Sequence, residues 1–427
     1  PAIPVTTAVR IALRCPNGPS GSECSGCEPA MSNIGPFGSE GPFGDLMRNL
    51  ARMLTSQGPV NWEFARQLAV WGATAGQTEP NVEPLARVRL EELLRVAELH
   101  VGQATGLPLS GTGVLTAATV TRSEWALRSL DAWRPLLERL AGSMAEATGE
   151  DPGADAPPDP MGQLLGNLPQ VLGPLLFGMQ AGSMVGQLAT RALGGYDLPM
   201  PRPPADEVLF VPVAIDEFAS EWSLDADDVR LWICLREAAN HAVLNRPHVR
   251  ARIDGLIGDY VGAWKPDPGI IEEKLSGFNP ADPASLESVF GDPGSLLGEM
   301  QTDAQRQMQV PLQALLSAVT GYVDHVMDTV GRKLIGSYGP LTEALRRRRL
   351  EEHAGSEVLG QLFGVAIDEA GYQRGQAFVT GVLERAGEDG LSRLWASEHE
   401  LPTPAEINAP GLWLARIDLP EPPAPAG

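Results

Sequence analysis

Apolar residues recur at three- and four-residue intervals along most of this chain, and that spacing predicts helices. Leu46, Met47, Leu50, Met53 and Leu54 open the series, and Asn61 stands where a helix over Trp62 to Trp71 needs its cap. Pro84 suits a first helical turn ahead of Leu85, Val88, Leu93, Leu94, Ala97 and Val101. Thr121-Arg-Ser-Glu124 reads as a capping box. It opens a helix with Trp125, Leu130, Trp133, Leu137, Leu140 and Met144 on the buried side. Val310 to Ile335 is long and amphipathic, with Leu312, Leu315, Leu316, Val319, Val323, Val326 and Val330, and further helices run from Leu341 to about Leu394. Val208 to Ile215, β-branched and apolar, is the one strong strand candidate, and Pro212 suggests an edge position for it. The pattern predicts a mainly α, multi-helical fold with at most a small β element.

Breaks in the pattern suggest an organisation. Residues 1–30 are rich in Pro, Gly and Ser and read as a disordered extension, or as sequence upstream of a start at Met31. An N-terminal helical region over 31–149 is expected, then an acidic, Pro-rich linker at 150–160 and a second helical domain over 161–401. Lys265 to Gly294 is expected to be loop with short helices, and 402–427 a disordered Pro-rich tail. No charged residue occurs from Met161 to Thr190, which raises the question of a membrane span. Asn167, Pro169, Gln170, Pro174, Gln180 and Gln187 interrupt that run, and interfacial aromatic anchors are missing. Gly178, Gly182 and Gly186 instead form a flat ridge suited to a close helix crossing, so a buried helix is expected there.

Charge narrows the classes of partner. The 427 residues carry 54 Asp and Glu against 32 Lys and Arg, a net charge of −22, which repels phosphate backbones and anionic lipid. Nucleic acid is therefore not expected. Arg346 to Arg349, followed by Glu351 and Glu352, reads as a solvated helix face. Cys234 lies in an apolar run and reads as a small buried hydrophobe. Cys24-Ser-Gly-Cys27 has no second pair to complete a zinc site and no strand and helix around it to make a redox motif. Arg14 beside Cys15, with no apolar run before it, does not fit an export signal, and a cytoplasmic location is the expectation.

The candidate chemistry lies in Leu231-Trp-Ile-Cys-Leu-Arg-Glu-Ala-Ala-Asn-His-Ala-Val-Leu244, behind an acidic first turn at Asp225 to Asp228. A zinc-hydrolase helix reads H-E-x-x-H, two His one turn apart gripping the metal and the Glu working the attacking water. Glu237 is present here, but Arg236 and Asn240 stand where the His belong. His241 is one residue late, about 100° round the helix from the ligand direction, so it is at most a displaced metal ligand. On a helical wheel Arg236, Glu237, Asn240 and His241 share one arc, which by spacing alone reads as the polar side of a half-buried helix facing water. No G-x-S-x-G elbow, phosphate-binding loop or dinucleotide fingerprint occurs.

Gln57-Gly-Pro-Val-Asn-Trp62, Val120-Thr-Arg-Ser-Glu-Trp125, Gly194-Gly-Tyr-Asp-Leu-Pro199, Asp228-Val-Arg-Leu-Trp232, Arg236-Glu-Ala-Ala-Asn-His241, Gly321-Tyr-Val-Asp-His-Val326 and Gly411-Leu-Trp-Leu-Ala-Arg416 follow one another in this order. In that order and spacing the chain resembles a largely actinobacterial family of zincin-like metallopeptidases, from about Met31 to Leu419. These proteins are also labelled hydrolases or zinc-dependent metalloproteases. The family was once a domain of unknown function, and one branch is linked to deazaflavin-cofactor biosynthesis. The resemblance implies a mostly helical zincin-like fold with zinc between the motif helix and a later one. It also implies a third ligand, a Glu, just before the Gly-Tyr/His-Val segment. Only Glu237 carries over as the catalytic residue; Arg236, Asn240 and Thr320 occupy the three ligand positions. Asp324 and His325 follow close after Thr320.

A degenerate site of this kind implies reduced or absent peptidase activity and no bound zinc. In that reading Arg236 supplies the missing positive charge to Glu237, and Asn240 donates it a hydrogen bond. The alternative is a non-catalytic module that binds a peptide or protein in the inherited cleft.

Overall fold

The computed structural model describes residues 58–148, 160–264, 302–351, 360 and 362–419. The expected helix at Leu46 to Leu54, the extension over 1–30, the linker short of Pro160 and the Lys265 to Gly294 loop lie outside them.

Helices begin where the sequence supplies caps. Helix α1 (Trp62–Thr74) starts at Asn61, whose side-chain oxygen accepts from the Phe64 N–H at 3.1 Å. Asn61→Ala is expected to cost about 1–2 kcal/mol in a denaturant titration, because the half-buried Phe64 N–H then loses its acceptor. Helix α2 (Pro84–Thr105) has Pro84 at its first turn and buries Leu90, Leu93, Leu94, Ala97 and Val101. Strand β1 (Thr116–Thr119) follows. Helix α3 (Arg122–Thr148) opens on the expected capping box, Thr121 N–H to Glu124 Oε2 at 3.0 Å and Glu124 N–H to Thr121 Oγ1 at 3.2 Å. Trp125, Leu130, Trp133, Leu137 and Leu140 are buried as expected.

Helix α4 (Pro160–Ala189) contains the uncharged run. Its glycine ridge does what a flat ridge permits: a Cβ on Gly182 would sit 2.3 Å from the Ala65 carbonyl oxygen, so α4 lies directly against the backbone of α1. No helix among the described residues is long and apolar enough to cross a membrane.

Strand β2 (Glu207–Phe210) pairs in parallel with β1, Thr116 opposite Glu207 and Thr119 opposite Phe210. The loop at Leu193–Gly195 hydrogen-bonds the other side of β2, Gly195 N–H to Leu209 O at 3.1 Å and Val211 N–H to Leu193 O at 3.0 Å. This corrects the expected strand over Val208 to Ile215. Pairing with β1 ends at Phe210, and Pro212 opens helix α5 (Pro212–Glu221), where a missing N–H leaves no bond unmade. β-branched residues there serve a buried helical turn as well as a strand.

Helix α6 (Ala226–Leu244) is capped by Asp225, which accepts from the Asp227 and Asp228 N–H groups. Helices α7 (Pro247–Gly262) and α8 (Asp303–Leu334) follow; α8 carries a second capping box, Thr302 with Gln305. Helix α9 (Tyr338–Glu351) precedes α10 (Glu369–Ser392), which crosses α8 so closely that Gly321 and Gly375 meet backbone to backbone. Arg346 and Arg347 pair with Glu343 on an exposed face, as expected. Arg348 instead lies over the Phe218 ring and donates to the Arg191 carbonyl.

The expected disordered tail also needs correction over its first part. Helix α11 (Pro410–Ile417) lies within it, and its Trp413 is wholly buried, stacked edge-on against Phe378. Arg416 pairs with Glu406 and donates to the Leu401 carbonyl at 3.0 Å. Prolines mark turns here, and the buried Trp413 holds the segment on α10. The mainly α class and the small β element are as the periodicity predicts.

Candidate functional site

Helix α6 delivers Glu237 to the inner side of the Leu193–Met200 loop. The expectation that its polar arc faces water is overturned: Glu237 is 0% exposed, His241 1% and Asn240 5%. Polar groups buried this deeply must be paired, and most of the pairing comes from one loop. The Tyr196 N–H donates to Glu237 Oε2 at 2.8 Å, and the Tyr196 hydroxyl meets His241 Nδ1 at 3.0 Å. Gly194 makes this approach possible, since a Cβ there would lie 2.4 Å from the Glu237 carboxyl carbon. The loop is held from behind as well. Trp125 Nε1 donates to the Gly194 carbonyl at 2.7 Å, and Arg202 donates to the Gly195 carbonyl at 3.0 Å.

Arg236 lies beside Glu237 and links it to a second acid. Its Nη1 is 3.1 Å from Asp197 Oδ1 and 3.7 Å from Glu237 Oε1. Asp197 in turn accepts from the Leu193 and Gly194 N–H groups through its other oxygen, at 2.5 and 3.3 Å. The cluster holds two carboxyl groups and the Arg236 guanidinium, with the buried Arg202 guanidinium near enough to interact with Glu237 and Asp197, and Glu237 Oε1 accepts no hydrogen bond. Burial pushes the Glu237 carboxyl up, to about 8, and the Asp197 charge adds to that push. The guanidinium and the Tyr196 and Gly195 N–H groups hold it down. Burial opposes the charge on Arg236, but Asp197 and Glu237 outweigh it and keep the guanidinium ionised.

Other expected site residues are placed differently. Asn240 does not reach Glu237: its Nδ2 donates to the Arg236 carbonyl at 2.9 Å, closing on its own helix. The His241 ring is turned toward Tyr196 and toward Asn245, whose Nδ2 is 3.2 Å from Nε2. Burial lowers its basicity to about 4, so it is neutral at physiological pH. The Thr320 hydroxyl bonds back to the Leu316 and Ser317 carbonyls of α8 at 3.0 and 3.1 Å. His325 meets Glu388 on α10 at 3.2 Å. Asp197 and Tyr196 are the residues the motif helix alone does not reveal. Both lie in the Gly-Gly-Tyr-Asp-Leu-Pro run, but nothing in their chain spacing tells which helix that run folds against.

A family sequence model described as "Zincin-like metallopeptidase" matches residues 60–414. Among curated proteins none matches. One solved structure from Chloroflexus aurantiacus, described as "a putative hydrolase with a novel fold", is 25% identical in sequence with a TM-score of 0.57. The match covers 85% of this chain and 100% of that one.

Proposed function

Because this chain belongs to the zincin-like metallopeptidase family, we propose that it is a member with reduced or absent zinc peptidase activity. In this reading Arg236 stands in for the metal's positive charge beside Glu237. The observation behind it is the Arg236 guanidinium, 3.7 Å from the wholly buried Glu237 carboxyl and anchored on Asp197.

Zinc in this family would be gripped by side chains of the motif helix and a later one, and would polarise a carbonyl and acidify a water. The residues present do not fit it. A catalytic tetrahedral site needs three convergent nitrogen, sulfur or oxygen donors from the protein, with water as the fourth ligand. A guanidinium is no ligand and repels a dication, the Asn240 amide is spent on its own helix, and the His241 ring is engaged with Tyr196 and Asn245. Among the described residues no three His, Cys, Asp or Glu side chains come together to hold an ion. Glu237 without a metal-bound water has no nucleophile to activate, so no hydrolytic step is assigned to it.

Metal analysis of the purified full chain tests this. Zinc is expected well below one equivalent after dialysis against the ion, and any peptide hydrolysis should be unchanged in Glu237→Gln. Zinc near one equivalent per chain, or peptide hydrolysis that Glu237→Gln abolishes, would overturn the reading. Restoring both ligands, Arg236→His with Asn240→His, should raise zinc affinity above that of the parent.

A further inference from the structure

We propose that the outer face of α2 is a two-fold, antiparallel docking surface for a second copy of this chain. Helix α2 buries Leu90, Leu93, Leu94, Ala97 and Val101 on one side. Directly opposite, Leu85 is 78% exposed, Val88 50%, Val96 40% and Leu99 57%. At 100° per residue these four, with Glu92 and Arg95, fall within one 100° arc. Val114 is exposed too, on a loop tied to the same helix by the Leu115 N–H to Glu98 bond at 3.2 Å. Among the described residues no other helix shows water so many large apolar side chains in one stripe.

The stripe has a seven-residue order: Leu85, Glu92 and Leu99 repeat at one position, Val88 and Arg95 at the other. That order selects both occupant and direction. In an antiparallel pair the two positions meet each other across the seam. Val88 then faces Leu99 of the second copy, and Glu92 faces its Arg95, twice over by symmetry. A parallel pair would instead set Glu92 against Glu92 and Arg95 against Arg95. Leu85 in the antiparallel register lies over Gly102, which leaves room for it. Among the described residues Arg95 makes no ion pair of its own. Glu92 has only a 3.4 Å contact with Arg89, whose guanidinium is held by Asp227 at 2.9 Å. An unpaired cation in an apolar stripe, on a chain of net charge −22, is matched by its own helix reversed.

At about 0.15 M salt the screening length is roughly 8 Å, so the bulk repulsion between two acidic copies is damped while contact pairs persist. A single helix seam lies at the small end of specific interfaces, so association is expected in the micromolar range.

Sedimentation of the full chain over about 1–100 µM tests the proposal. A reversible monomer–dimer equilibrium is expected. Glu92→Arg should weaken it about tenfold or more, because a guanidinium would then face Arg95 of the second copy. The charge swap Glu92→Arg with Arg95→Glu should return the affinity to within about threefold of the parent. A chain monomeric throughout, as when another segment or a different partner covers the face, overturns the proposal. So does a dimer indifferent to Glu92→Arg, or a swap that fails to restore it. Both positions are solvent-facing, and an unchanged thermal melt separates loss of association from loss of fold.

Discussion

Arg236→Ala should destabilise the protein by about 3–5 kcal/mol at pH 8, the cost of leaving buried charge without its partner. Asp197 and Glu237 both turn toward this one guanidinium, and nothing else among the described residues replaces it at Glu237 Oε1. The loss should shrink as pH falls, because Glu237 can then take up a proton. In the folded chain that carboxyl titrates near 8, against 4.5 as its ordinary value. A folded-state pKa raised above the unfolded one contributes stability that is full below about pH 4.5 and lost as pH climbs through 8. The parent protein should thus lose stability from pH 5 to 8 through this group, and Glu237→Gln should flatten that slope. Denaturant titrations at several pH values read both effects. An Arg236→Ala loss under about 1 kcal/mol would mean that Arg236 is not the counter-charge.

Gly194→Ala is expected to cost about 3 kcal/mol, from a single methyl group. That methyl would lie 2.4 Å from the Glu237 carboxyl carbon and 2.7 Å from each oxygen. Glu237 has nowhere to retreat, being wholly buried and held by the Tyr196 N–H. Either the loop lifts, straining the Trp125 bond to the Gly194 carbonyl, or the carboxylate leaves its donor. Combining Gly194→Ala with Glu237→Ala vacates the space, so the two losses should sum to less than their separate values. Strict additivity would show that Gly194 is required for some other reason.

Most helices were legible before any coordinates. Asn61, Thr121 with Glu124, Pro84 and Asp225 cap or open helices through side chains within three residues, so local chemistry suffices to place them. Gly178, Gly182 and Gly186 announced a close crossing, though not that α1 would fill it. The local rules failed where one composition suits two structures. Val208 to Ile215 splits between a strand and a helix, and the prolines after Pro402 conceal a segment pinned by Trp413 and Arg416.

The site divides in the same way. The sequence by itself determined that two ligand positions of the motif helix carry Arg and Asn, since identity at a spacing needs no coordinates. It also determined that Arg236 and Glu237 are neighbours in the chain. Only the tertiary structure decided that Asp197 is the guanidinium's anchor, that Tyr196 caps Glu237, and that Asn240 turns away. A helical wheel tells which residues share a side but not what lies opposite, and here the opposite surface is a loop some forty residues earlier in the chain. Burial is a property of that meeting, and it turns a stripe readable as a wetted polar face into a closed cluster of charge.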